Sequence, residues 1–294
     1  MRPAFSRLTV PVDGTASSGE GVRFALELAA GGGSVTFCHA VDPSESLLPL
    51  AEGAGAGFDP LVETLREEGQ FYCDAACAMA RKRGIGAEAY VVVGSRERVV
   101  EDVVRGTRSE AIVIGTHART GLAHTLLGSF AEGLMRRSDV PVIACHVGDA
   151  SGRGPVVVAI DGSLPARAAL ETAIAIARAR NVALRLIMVV EPGLPPGIGS
   201  ETLAVAKRHV YDDGVPCTTI VRSGDPGEQI VAESRSCDAS LIVTGTNGRA
   251  AMPRFFLGSV AADLLQRAHV PVVVVRAPLG VHAGGATGEV TRTR

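Results

Sequence analysis

The sequence predicts an α/β protein made of two tandem doubly wound domains, each with a five-stranded parallel sheet. Short apolar runs alternate with stretches of helical periodicity along nearly the whole chain, which is typical of a parallel sheet covered by helices on both faces. The order of these segments starts again at Val156. The chain has 294 residues, a length that suits two domains.

Three glycines and one proline of the first half recur 130 residues later in the second half. The pairs are Gly94 and Gly224, Gly115 and Gly245, Gly128 and Gly258, and Pro141 and Pro271. Earlier in the chain the offset is 148 for Asp13 and Asp161 and 149 for Val41 and Val190, so about nineteen extra residues lie in the first half between positions 43 and 94. A constant offset over four landmarks indicates a tandem duplication.

Each half reads as five strands that alternate with four helices. In the helical stretches apolar residues recur every three or four positions, as at Val22, Leu26 and Ala29. In the first half the predicted strands are 8–12, 34–41, 87–93, 111–114 and 140–146, and the predicted helices are about 18–30, 59–83, 97–106 and 130–137. The stretch between them at 43–57 is rich in Gly, Ala, Pro and Ser and reads as a loop.

Composition shifts mark the domain boundaries. We expect a first domain over residues 1–147, a linker over 148–155 (GDASGRGP) and a second domain over 156–277. The remaining residues, 278–294, are mostly small, polar or glycine, so we expect a disordered tail.

Charge and composition exclude several classes of partner. The formal net charge is −2, aromatic residues make up 4% of the chain and Trp is absent. These values give no reason to expect binding to nucleic acid or to an anionic membrane. The N-terminus has no apolar segment typical of a signal peptide, and no uncharged apolar run approaches the ~20 residues that span a bilayer. We therefore expect a cytoplasmic protein.

The six cysteines form no CxxC pair and lie mostly within apolar strand or helix patterns. We interpret them as small apolar side chains in a reducing compartment, and we assign no metal site.

The stretch LIVTGTNGRAAMPRFFLGSV, residues 241–260, has the chemistry of an anion-binding loop. Gly245 and Gly248 open a loop after an apolar strand, Gly258 and Ser259 close it, and a helix begins at Val260. Glycine lets backbone amides approach a ligand closely, and a helix N-terminus favours negative charge. The stretch AIVIGTHARTGLAHTLLGSF, residues 111–130, repeats the arrangement. We interpret both loops as phosphate-binding segments.

Doubly wound sheets bind ligands beyond the carboxyl ends of strands at the point where the winding reverses. If the first and fourth strands flank that point, Asp13 meets the loop from Gly115, and Asp161 meets the loop from Gly245. Two roles remain open for each aspartate, because an Asp-Gly pair either contacts a ribose or forms a turn that caps the next helix.

These residues resemble the universal stress protein family in its tandem two-domain form, over nearly all of residues 5–277. ATP-binding members of that family show G-x2-G-x9-G followed by Ser or Thr after the fourth strand. The second half contains this motif in full, whereas Ala118 replaces the second glycine in the first half. If that position needs positive φ, the Cβ costs roughly 1–2 kcal/mol, which predicts an affinity on the order of tenfold lower at the first site.

The resemblance implies a Rossmann-like, HUP-type fold with strand order 3-2-1-4-5 in each half. It also implies that the loop and helix start bind phosphates, the first-strand aspartate contacts the ribose or adenine side, and the end of strand two lines the adenine pocket. The first site would comprise Pro11, Asp13, Val41, Gly115, His117, Gly128, Ser129 and Phe130. The second would comprise Ala159, Asp161, Val190, Gly245, Asn247, Gly248, Gly258, Ser259 and Val260.

The leading hypothesis is a stress-response regulator that binds ATP, alone or with Mg²⁺, without fast turnover. No GxxxxGKS or GxxxxGKT loop is present and neither cradle contains lysine, so we assign no catalytic residue. The alternatives are a slow ATPase or an adenylating or phosphotransfer enzyme of the same architecture, and an interaction protein with degenerate sites.

The predicted fifth strands, VPVIAC at 140–145 and VPVVVV at 270–275, are long apolar edges that need covering. We expect the two halves to pair through them in a pseudo-twofold arrangement, as homodimers of the family do. Further assembly into a homodimer stays open.

Overall fold

In the computed structural model of the chain, the structure describes residues 3–42, 58–116, 128–149, 153–190, 197–246 and 257–277. The first half consists of β1 (Arg7–Pro11), α1 (Ala16–Leu28), β2 (Ser34–Val41), α2 (Phe58–Lys82), β3 (Gly86–Val93), α3 (Arg96–Thr107), β4 (Ala111–Thr116), α4 (Ser129–Arg137) and β5 (Val142–His146). The second half consists of β6 (Val156–Ala159), α5 (Leu164–Arg180), β7 (Leu184–Val190), α6 (Ile198–Asp212), β8 (Cys217–Ser223), α7 (Pro226–Ser236), β9 (Leu241–Gly245), α8 (Ser259–Arg267) and β10 (Val272–Val275).

The alternation of strands and helices is as predicted, and the boundaries in the first half differ by at most two residues. β5 begins at Val142 instead of Val140 because the preceding residues form a local turn. The hydroxyl of Ser138 accepts from the Val140 N–H at 3.2 Å and donates to the Val140 carbonyl at 2.8 Å. Pro141 has no N–H to donate to a neighbouring strand. The predicted loop at 43–57 and the tail at 278–294 lie outside the described residues.

The two predicted five-stranded sheets join into one ten-stranded sheet with the order β3-β2-β1-β4-β5-β10-β9-β6-β7-β8. Within each half the strands are parallel in the order 3-2-1-4-5, which confirms the predicted topology. The halves meet where β5 and β10 pair antiparallel, so the predicted pairing of the fifth strands is confirmed.

The register of this central pair follows from the duplication. Ile143 lies opposite Val273, its equivalent at the 130-residue offset, and both are fully buried. Ala144 lies opposite Val272, the counterpart of Val142, and Val142 lies opposite Val274, the counterpart of Ala144. This exchange is the pattern of a pseudo-twofold axis. Because β5 and β10 run in opposite directions, the carboxyl ends of the two sets of strands lie at opposite edges of the sheet.

Helices cover both faces of the sheet. Side chains of α1, α2, α5 and α6 form one buried apolar cluster, and side chains of α3, α4, α7 and α8 form the other. All six cysteines are free thiols and four of them are buried. Burial raises the pKa of Cys73 to about 12, so this thiol stays protonated and packs as an apolar side chain. Among the described residues, no helix is both long enough and apolar enough to cross a membrane.

In the second half, the buried carboxylate of Glu233 on α7 forms ion pairs with two arginines of the sheet. The side chain of Glu233 is 1% exposed and accepts from Arg185 on β7 at 2.8 Å and from Arg222 on β8 at 2.7 Å. Burial by itself raises the pKa of Glu233, but the hydrogen bonds from Arg222 and Arg185 outweigh it and hold the pKa below its ordinary value. The first-half counterpart is Val103, so this ion pair belongs to the second half alone.

Replacing Glu233 tests this contact. We expect Glu233→Gln to lower the free energy of unfolding by about 3 kcal/mol at neutral pH, because two guanidinium groups lose their buried counter-ion. The pKa of Glu233 is lower in the folded protein than in the unfolded chain. Its carboxylate therefore contributes its full stabilisation of the fold above about pH 4.3, and this contribution is lost as the pH falls through the folded-state pKa. Urea unfolding between pH 7 and pH 3 should therefore show a shallower acid dependence for the variant.

The exposed Glu63 on α2 provides the matched control. Glu63→Gln should leave both the neutral stability and its acid dependence close to those of the parent. An equal acid dependence in the parent and in Glu233→Gln would contradict the assigned pKa direction.

Candidate functional site

A cavity of about 390 Å³ lies at the carboxyl ends of β1, β2 and β4 in the first half. This volume falls within the range of small-molecule sites. Every described member of the predicted first site lines it: Pro11, Asp13, Val41, Gly115, Gly128, Ser129 and Phe130. His117 lies outside the described residues. Three strand ends and one helix start, far apart in the sequence, therefore converge on one space.

Asp13 forms the turn between β1 and α1. Its Oδ1 accepts from the Thr15 N–H at 3.0 Å and from the Thr15 hydroxyl at 2.6 Å. Thr15 in turn caps α1 by accepting from the Ser18 N–H at 3.2 Å. The turn role left open by the sequence is thus present in the structure. A carboxylate has about four acceptor positions, so this role leaves capacity for a ligand hydroxyl.

The surroundings of Asp13 favour its ionised form. Burial by itself raises the pKa of this carboxyl, but hydrogen bonds from Thr15 and Ser18 and the charge of His39 outweigh it and lower the pKa. Asp13 is therefore an acceptor at neutral pH and a poor proton donor.

Asp161 has the same turn geometry in the second half. Its Oδ1 accepts from the Ser163 N–H at 2.9 Å, and Ser163 caps α5 by accepting from the Ala166 N–H at 3.2 Å.

Gly115 and Gly245 have a packing role in the structure, whereas the sequence analysis explained these glycines by ligand binding. A Cβ on Gly115 would overlap the carbonyl of Ser17 in the first turn of α1. A Cβ on Gly245 would lie 2.7 Å from Cβ of Pro165 in the first turn of α5. Neither glycine is among the described residues with positive φ. Their missing side chains let a helix N-terminus approach the end of the fourth strand of each half.

The starts of α4 and α8 differ from those of the helices that follow the first strand of each half. Gly128 and Gly258 occupy the N-cap positions, and a glycine has no side chain with which to cap its helix. A Cβ on Gly128 would meet no atom of the described residues within 4 Å, so those residues leave the space beside Gly128 open. N-terminal amides without a side-chain cap can donate to an anion. The starts of α4 and α8 therefore offer backbone amides at the positions where the sequence analysis predicts phosphate binding.

In the second half, the described site residues lie at the corresponding edge. Ala159, Val190 and Gly245 end β6, β7 and β9, which are neighbours in the sheet. Gly258, Ser259 and Val260 begin α8, with the Gly258 N–H donating to the Thr246 carbonyl. Asn247 and Gly248 lie outside the described residues.

Comparison with known proteins agrees with this duplicated architecture. The sequence profile described as the universal stress protein family matches residues 4–146 and again residues 152–276. This chain belongs to the universal stress protein family. Both halves of the ten-stranded sheet are thus copies of one family domain.

Similar proteins include mycobacterial members of the family. The universal stress protein Rv2005c of Mycobacterium tuberculosis is 33% identical over 66% of this chain and 72% of its own length. A universal stress protein of Mycolicibacterium smegmatis is 25% identical over 92% of this chain and 96% of its own length. The crystal structure of a universal stress protein from Archaeoglobus fulgidus shares the fold, with a TM-score of 0.76, 20% identity and coverage of 92% and 98% of the two chains.

Several cavity residues were missed by the sequence analysis: Val12, Thr15, Ser17, Ser18, Cys38, His39, Ala40, Asp42, Leu65, Arg96, Val100, Ile114, Thr116 and Ala131. Arg96 had a usable signal, because the Gly94-Ser95 turn puts the first residue of α3 at the carboxyl edge of the sheet. Leu65 had none, since it lies inside a long helix whose position over the sheet is a tertiary property.

One cluster of possible cation ligands lies apart from the cavity, on α5 and at the end of α6. Ligand atoms of Glu171, His209 and Asp213 lie within 4.8 Å of one another. His209 Nε2 contacts Glu171 at 2.5 Å and Arg178 donates to Asp213 at 2.5 Å, so a hydrogen bond and an ion pair account for the cluster.

Gly115→Ala tests the packing role of this glycine. We expect a loss of about 3 kcal/mol in the free energy of unfolding, because the new methyl group overlaps backbone atoms that cannot rotate away. Chemical unfolding monitored by circular dichroism measures the loss. Gly106→Ala in α3 is the control: its Cβ would meet nothing within 4 Å, so stability should rise by roughly 0.5–1 kcal/mol. Full stability of Gly115→Ala would show that α1 is not held against β4 as described.

Proposed function

We propose that this universal stress protein is a regulator that binds adenine nucleotides, with ATP as the ligand and binding rather than fast turnover as its activity. The observation that supports this proposal is the first-half cavity, in which an ionised carboxylate, apolar strand ends and a helix start with glycine at its N-cap face one space.

The chemistry of the cavity suits the three parts of a nucleotide. Pro11 and Val41 offer apolar surface for a base at the ends of β1 and β2. Asp13 offers an acceptor for ribose hydroxyl groups, as acidic residues do in dinucleotide sites. The N-terminal amides of α4 and the exposed hydroxyl of Ser129 offer donors for phosphate oxygens.

We propose an equivalent site in the second half, built from Ala159, Asp161, Val190 and the start of α8. Because the two sets of strand ends lie at opposite edges of the sheet, each site would take its own nucleotide. The sites would not share one ligand.

Binding without fast turnover fits the described cavity residues. None of them is a lysine, and the lowered pKa of Asp13 makes this carboxylate a weak base. Among the described lining residues, Asp13 is therefore suited to recognition and poorly suited to activating water. A shift of conformation or partner choice on binding would then be the output.

Ser129→Glu and Ser259→Glu test the two sites separately. Each substitution places a negative charge at the first residue of α4 or α8, where polyphosphate would bind, while an acidic residue there favours the helix. Isothermal titration with ATP should give two equivalents for the parent, one for each variant and none for the double variant.

Ser129→Gln and Ser259→Gln separate charge from size. These neutral variants should keep most of the ATP affinity of the parent. A parent that takes up no ATP, or Glu variants that bind as the parent does, would refute the proposed sites.

Arg96→Ala tests electrostatic attraction at the first site. Arg96 is the single arginine or lysine among the described residues that line the cavity. Its removal should weaken ATP binding at the first site roughly three- to tenfold at low salt, with a smaller effect at high ionic strength. Arg98→Ala, an exposed position on the same helix outside the cavity, should have no such effect. A salt-independent loss would argue against a role in phosphate attraction.

A further inference from the structure

The two halves differ most in the helix that follows their second strand. α2 has 25 residues and α6 has 15, and their last residues, Lys82 and Asp212, are equivalent at the 130-residue offset. The additional ten residues of α2 therefore precede Glu68, the counterpart of the first residue of α6. We call residues 58–67 the α2 extension.

The α2 extension lies at the edge of the sheet where the first-half cavity opens. α2 follows β2, so its first turns lie beyond the carboxyl end of that strand. Ten helical residues span about 15 Å, which is enough to cross the mouth of a nucleotide-sized cavity. Leu65, within the extension, lines the cavity.

Close contacts hold α2 against the two strand ends that form the cavity. A Cβ on Gly14, whose φ is +74°, would overlap the ring of Tyr72. A Cβ on Gly69 would likewise overlap the imidazole of His39. The Nδ1 atom of His39 lies 2.7 Å from the Val12 carbonyl, and its ring centroid lies 6.0 Å from that of Tyr72. The part of α2 directly after the extension is thus held against the ends of both β1 and β2.

The described part of the second half does not repeat these contacts. Met188 and Thr202 stand at the positions of His39 and Tyr72, so neither aromatic ring has a counterpart. Gly199, the counterpart of Gly69, lies directly against Val190 and Val221, where a Cβ would come within 3.0 Å of either side chain. α6 therefore begins on the end of β7, while α2 continues past the end of β2.

We infer that the α2 extension, through Leu65, is a selectivity wall that makes the first site prefer a purine to a pyrimidine base. This inference rests on the proposed nucleotide function. Every second residue of a strand points to the same face, so Phe37, His39 and Val41 share the face of β2 that packs against α2. Leu65 belongs to α2 and therefore lies on the side of the sheet to which Val41 points. The bicyclic face of a purine presents more apolar area to such a wall than a pyrimidine does.

The test uses the full chain with Ser259→Glu, in which only the first site is expected to bind a nucleotide. ATP and UTP are titrated into this parent and into its Leu65→Ala variant. We expect Leu65→Ala to weaken ATP binding roughly three- to tenfold and UTP binding less, so that the preference for ATP falls. In a Ser129→Glu background, in which only the second site is expected to bind, Leu65→Ala should change neither the ATP affinity nor the UTP affinity.

Two further variants control for folding and position. Leu65→Met, which preserves apolar volume, should restore most of the preference for ATP. Met79→Ala, at a partly exposed position near the other end of α2, should leave both affinities unchanged. Circular dichroism checks that helix content and Tm are retained.

Each outcome decides between the two claims. If Leu65→Ala binds ATP as its parent does, or loses ATP and UTP affinity equally, the selectivity wall is refuted while nucleotide binding stands. If the Ser259→Glu parent itself binds neither ATP nor UTP, nucleotide binding at the first site fails, and the wall fails with it.

Discussion

The antiparallel pairing of β5 and β10 is the contact on which the architecture depends. Both strands are fully or almost fully buried, and each would otherwise be an exposed apolar edge in a five-stranded sheet. Their union turns two domains into one continuous sheet with a shared centre. It also directs the two sets of strand ends to opposite edges, so the site proposed for each half lies at its own edge.

At each of these edges, a glycine at the end of the fourth strand determines how closely the following helix layer approaches the sheet. Gly115 and Gly245 admit the first turns of α1 and α5, whose caps are organised by Asp13 and Asp161. The aspartate, the capped helix and the strand end are therefore one packed unit. The glycine and the aspartate that the motif associates with a ligand thus also hold together the strand end and the helix beside the proposed site.

The two copies have diverged in ways that affect stability and the site differently. The second half contains the buried Glu233 with its two arginines, where the first half has only apolar packing around Val103. The first half instead extends α2 over its cavity and places Leu65 in the lining. The two copies thus share the arrangement of the sheet and differ in the helix beside the proposed site.

The sequence was sufficient to predict the alternation of strands and helices, the duplication and the first-half residues that converge on the cavity. The strand order was predicted from the family resemblance. These properties depend on apolar periodicity, turn residues and fixed spacing, which are visible without neighbours. The packing role of Gly115, the contribution of Leu65 and the buried charge of Glu233 depend on which residues meet across layers. Such contacts join positions that are distant in the chain, so only the folded arrangement of helices on the sheet decided them.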